Sequence, residues 1–153
     1  MSSISKKIIF VALILSIIMM ILLNYVSSEF YSLQYGNPIK RVYLKNAFVK
    51  AEAVATAEKI KLGLAGRENI GEGRGMLFLM PQDDFQRFWM KGMQFPIDII
   101  WIENGRVVGC EGRISQDDQR IFTSPEKSSV VLEVNAGFCE QNDVQLNDPV
   151  RIE

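Results

Sequence analysis

A mainly β domain of the α+β class is the fold that three observations predict: a small barrel or sandwich of about seven short strands and two short helices, preceded by an N-terminal transmembrane helix. The first is an apolar run from Ile8 to Leu23, interrupted only by Ser16. The second is a hairpin signal, in which the β-branched and aromatic stretch Ile97 to Glu103 is followed by Asn104-Gly105 and then by Arg106 to Cys110. Asn-Gly fills both left-handed positions of a two-residue type I′ turn. The third is a set of further short apolar runs, each bounded by Gly, Pro, Asn or Asp, as strands are.

Taken in order, residues 1–7 form a short N-terminus carrying Lys6 and Lys7, expected on the cytoplasmic side. Residues 8–26 approach the roughly 20 residues that span a bilayer and exceed the roughly 7–15-residue core of a signal peptide, which favours an uncleaved anchor. Residues 27–40 lack apolar periodicity and read as a spacer. The remaining 41–153 make one domain of ordinary size. In it, Arg41 to Leu44 and Phe48 to Val54 are strands around a Lys45-Asn46 turn. Thr56 caps a helix over Ala57 to Leu64, with Ala57, Ile60 and Leu64 on one face and Gly66 as the stop.

The glycine-rich Gly71 to Gly75 is not a phosphate loop, because a strand follows it where a helix is required. That strand, Met76 to Met80, ends at Pro81. On the next, Phe88 and Met90 share one face, and Arg87, Trp89 and Lys91 the other. Ser115 to Lys127 is polar and reads as an exposed loop. Ser129 to Val134 is a strand, Asn135-Ala136-Gly137 turns into a short helix carrying Phe138 and Cys139, and Pro149 to Ile152 closes the domain.

Composition narrows the chemistry. From Arg41 onward 14 basic residues meet 17 acidic ones with no basic block, which argues against a nucleic-acid partner. The chain has no histidine, so serine–histidine and cysteine–histidine catalysis are excluded and the commonest zinc ligand is absent. No cofactor or metal site is expected. The two cysteines, Cys110 and Cys139, either form a disulfide, as an oxidising compartment would favour, or remain buried thiols.

One polar constellation follows from register. Counting back from the Asn-Gly turn pairs Ile99 with Cys110 and Asp98 with Glu111. Opposed carboxylates in a sheet need a cation between them, with Lys91, Arg113 or Arg67 as candidates. The pair could instead act as catalytic acid and base in a carboxylate-dependent hydrolase, but an internal strut is the commoner use of a buried acid. Arg87, Trp89 and Lys91 form a second candidate site, an indole platform beside two steering cations.

Arg67 after Gly63-Leu64, Gly75-Met76-Leu77-Phe78, Phe88-Trp89-Met90-Lys91, Pro96-Ile97-Asp98-Ile99, and Val131 to Val134 with Ala136-Gly137 stand out as a set of segments. Together they resemble the family of domain of unknown function 192 (DUF192). The resemblance spans about Val42 to Ile152 and implies a small, mostly β domain, often exported behind a signal or anchor, with no activity attached. The expected function is therefore binding rather than catalysis. A membrane-anchored module facing outward would hold a cell-envelope glycan, peptide or protein through Arg67, Arg87, Trp89, Lys91 and Asp98, aided by the Ser115 to Lys127 loop.

Overall fold

In the computed structural model, which describes residues 10, 12–23 and 36–153, the Asn104-Gly105 turn joins β5 (Ile97–Glu103) to β6 (Arg106–Ile114), with both turn residues left-handed at φ 50° and 70°. β5 is buried along almost its whole length, as its apolarity on both faces requires. It pairs with β6 on one side and with β8 (Ser128–Asn135) on the other.

Among the described residues the sheet has seven strands in the order β6-β5-β8-β3-β2-β1-β9. β1 (Ile39–Leu44) and β2 (Ala47–Val54) form the expected hairpin around Lys45, which is left-handed at φ 44°. The Thr56 hydroxyl accepts a hydrogen bond from the Lys59 amide and starts α1 (Ala57–Leu62), which ends at Gly63 (φ 52°), before the expected Gly66. α1 is the crossover to β3 (Arg74–Asp84), so β2 and β3 run parallel in an otherwise antiparallel sheet. β3 runs past Pro81, and the register shift between Leu79 and Asp84 spans the proline, which cannot donate to a ladder.

β4 (Arg87–Phe88) pairs with β7 (Phe122–Thr123) in a separate two-stranded ribbon, so part of the Ser115 to Lys127 loop is structured. α2 (Phe138–Gln141) follows Gly137, and β9 (Val150–Ile152) returns to pair with β1.

The sheet is curled into a half-barrel, where a small barrel or sandwich was expected. Its two edges meet at one bridge between Arg106 and Pro149, where Val107 N donates to Asp148 O, Asn147 N to Val107 O and Val150 N to Gly105 O, and among the described residues no longer ladder joins them. Alternation along the strands sends residues to two cores. One holds Val42, Leu44, Val49, Leu77, Ile100 and Leu132, with Phe138 and Cys139 of α2 packed on it. The other holds Met76, Phe78, Ile97, Ile99, Trp101 and Val131 under Leu64, Met90 and Phe122.

The chain divides into two compact units, Met1–Asn37 and Pro38–Glu153. In the first, residues 12–23 are helical and their side chains exposed. Among the described residues no helix is long and apolar enough to cross a membrane, so the expected spanning helix is not found there. Residues 8, 9, 11 and 24–26 of that expectation, residues 1–7 and most of the 27–40 spacer lie outside the described residues.

Candidate functional site

Asp98 is completely buried, as the isoleucine-rich strand around it predicts, but its partners are not those expected. The hairpin register holds for Glu103–Arg106 and Ile102–Val107, then slips by one residue, so that Trp101 pairs with Gly109 and Ile99 with Glu111. A second irregularity follows, and Ile97 pairs with Ile114, which leaves Gly112 and Arg113 against Asp98 in a bulge with Arg113 at φ 54°. The Asp98–Glu111 pair therefore does not form, and Glu111 is exposed.

Among the described residues no lysine or arginine side chain holds Asp98. Three backbone amides do: Oδ1 accepts from Arg113 N at 2.7 Å and Gly137 N at 2.9 Å, and Oδ2 from Cys139 N at 2.8 Å. Bulge and helix start thus converge on one carboxylate, whose desolvation they offset. The Arg113 side chain reaches out to Glu140 instead.

Next to this cradle, Cys110 and Cys139 form a disulfide that ties β6 to α2. Asp98 and the two sulfurs are the one group of metal-donor type among the described residues, but the disulfide leaves no thiolate to bind a metal. An open cleft borders the cradle, yet the Asp98 carboxylate is buried and its oxygens are engaged, so the hydrolase pairing of Asp98 with Glu111 has no geometric basis.

Arg67 is buried as well, and it forks onto Glu52 of β2 at 2.6 and 2.8 Å. Register places Glu52 and Glu133 on either side of Met76, with Ile99 beyond, in one row across the sheet. Two acids thus stand two strands apart in an apolar face. Glu133 Oε2 finds no hydrogen-bond partner among the described residues, and burial pushes its carboxyl up to about 8, an effect that the Arg67 charge partly opposes. The sequence signal for both acids was an acidic residue inside an apolar strand, in Ala51-Glu52-Ala53-Val54 and Val131-Leu132-Glu133-Val134.

Arg87, Trp89 and Lys91 do come together, as the strand alternation predicts. All three are exposed while Met90 is buried, although regular pairing stops at Phe88. They line a cavity of about 360 Å³ between α1 and this segment. Ile60, Leu64, Phe78, Met80 and Phe88 supply its apolar wall. Its charged lining is Lys61, Arg87 and Lys91 against a single acid, Glu133. On the far side of Trp89 and Lys91, residues Gln116 to Gln119 of the polar loop border a second, more open cavity. Of the five expected binding residues, three meet at one cavity, while Arg67 and Asp98 serve the interior.

The family model DUF192, described as an uncharacterised ACR, matches residues 41–152. Two crystal structures share the fold at a TM-score of 0.71 and 25% identity. One is a protein of unknown function from Novosphingobium aromaticivorans, with 74% of this chain and 84% of that one aligned. The other, from Sinorhizobium meliloti, is described as a proposed transcription regulator, with 75% and 94% aligned. No curated protein matches the chain.

Proposed function

Because the chain belongs to the DUF192 family, a name that carries no activity, we propose a function from the cavity itself: the domain is a cell-envelope binding module that takes an apolar group joined to an anion. The observation that carries this reading is the lining. Apolar walls of about 360 Å³ suit one large side chain or a short hydrocarbon, and pockets of this size hold small ligands. Three cations stand against one acid that burial keeps neutral, so the electrostatic complement is a negative charge. Trp89, 51% exposed, offers its ring to whatever enters. A glycan would leave its hydroxyls facing hydrocarbon, so a peptide is the better envelope partner. With 14 basic residues against 17 acidic ones from Arg41 onward, nucleic acid is not the partner.

The proposed location is the outer side of the membrane, with residues 8–26 as anchor. Lys6 and Lys7 ahead of the apolar run support that orientation, and so does the Cys110–Cys139 disulfide, which an oxidising compartment maintains. A reporter enzyme active only outside the cytoplasm, fused after Glu153, tests the location.

Calorimetric titration of the full-length protein in nanodiscs tests the binding. 4-Methylpentanoate should bind, and 4-methylpentylamine, of the same shape and opposite charge, should not. Arg87→Ala with Lys91→Ala should weaken binding about tenfold. Equal binding of acid and amine, or of neither, would remove the basis for this reading.

A further inference from the structure

We infer that Glu133 is the residue by which the cavity selects its ligand, donating a hydrogen bond to a carbonyl oxygen beside the ligand's apolar group, so that the group bound is the C-terminal residue of a peptide ending in a large apolar side chain. This rests on the cavity reading above and gives that ligand its chemistry.

Glu133 is 5% exposed, stands in the middle of β8 between Met76 and Ile99 on neighbouring strands, and lines the cavity, yet its Oε2 has no partner among the described residues. Leaving a buried polar atom unmatched is costly, and such atoms are rare in folded proteins. The neighbouring acid in the same row shows the contrast, since Glu52 receives both arms of the Arg67 fork. Among the described residues Glu133 is the one acidic member of the cavity wall.

The charged groups around Glu133 decide what it can recognise. Arg67 acts on it from the segment after α1, Glu52 lies two strands away, and Lys61, Arg87 and Lys91 share its cavity. In the apolar wall the neutral carboxyl offers one O–H donor, which an acceptor on the ligand would satisfy. A C-terminal residue meets the whole lining. Its carboxylate suits the three cations, its side chain suits Ile60, Leu64, Phe78 and Phe88, and the carbonyl of the preceding residue suits Glu133. A fatty acid supplies the first two features and lacks the third.

Titration of the full-length protein with N-acetyl-leucine and with 4-methylpentanoate, which is leucine without its acylated nitrogen, isolates that third feature. N-acetyl-leucine should bind about tenfold more tightly than 4-methylpentanoate. In Glu133→Leu the preference for N-acetyl-leucine over 4-methylpentanoate should vanish, and Glu133→Gln, which keeps a neutral donor, should retain it. Should Glu133→Leu fail to fold, Glu133→Met carries the same comparison. Equal binding of the two acids by the native protein, or a preference that survives loss of the carboxyl, overturns the role of Glu133 and leaves the cavity reading standing. Binding of neither acid overturns both.

Discussion

Replacing Asp98 with asparagine isolates what the amide cradle contributes, because the two side chains have nearly the same shape. Oδ1 would still accept from Arg113 N and Gly137 N, now as neutral hydrogen bonds worth roughly 1 kcal/mol less each than those to a carboxylate. The new NH₂ would face the Cys139 amide, two donors in contact, and a buried unmatched donor costs roughly 1–3 kcal/mol. Together these give a loss of about 3–5 kcal/mol, a large part of the ~5–15 kcal/mol that holds a typical domain together. At about 4 °C per kcal/mol for a domain of this size, Tm should fall by about 12–20 °C. Urea unfolding followed by tryptophan fluorescence reads this directly, since Trp101 is buried in the core, provided the disulfide is kept oxidised. The control is Lys91→Ala, which should change stability by no more than ~0.5 kcal/mol, because backbone amides and not the Lys91 ammonium hold Asp98. A loss below about 1 kcal/mol in Asp98→Asn, or a large loss in Lys91→Ala, would refute the cradle as the source of stability.

Three further outcomes follow from the buried groups. Replacing both cysteines with serine removes a cross-link between residues 29 apart and should cost about 3–4 kcal/mol in the chain-entropy model, measured by urea unfolding with and without reductant. Arg67→Ala should cost about 3–5 kcal/mol by taking both arms of the fork away from a buried carboxylate, whereas Arg67→Met with Glu52→Met should recover most of that loss in thermal melts. Glu133 sets a pH slope. Its carboxyl is raised from 4.5 to about 8, so between those values the folded state binds more protons than the unfolded chain and stability falls as pH rises, by up to ~1.4 kcal/mol per unit. Glu133→Gln should therefore gain on the native protein steadily from pH 5 to 8 and level off above, and a constant difference between the two would contradict the burial of that charge.

The hairpin was legible because Asn104-Gly105 fixes its own geometry, and the Thr56 cap, the β1–β2 turn and the short helix after Gly137 were legible for the same reason: each is decided by a few adjacent residues. What adjacent residues do not decide was missed. The slip after Val107 depends on Gly109 lying against Trp101 and Pro125, where a Cβ would stand 2.7 Å from the proline ring, and no local pattern announces such a contact. With the register displaced, Asp98 moved away from Glu111 and met amides from two distant segments. Arg87, Trp89 and Lys91 could be assigned to one face from period-two alternation alone. The opposite wall of their cavity comes from α1 and β8, and only the fold brings those together. Glu52 and Glu133 were visible as acids in apolar strands, yet their shared row required the sheet order β8-β3-β2, including a parallel pair that sequence spacing did not specify.

The first and last strands of the domain are neighbours, with Arg41 and Glu153 exchanging both backbone hydrogen bonds. A unit whose beginning and end touch can be re-cut: a few glycines joining position 153 to position 39, with new ends opened at Asn104-Gly105, would preserve every strand while the ribosome delivered the second half, from β6 on, before the first.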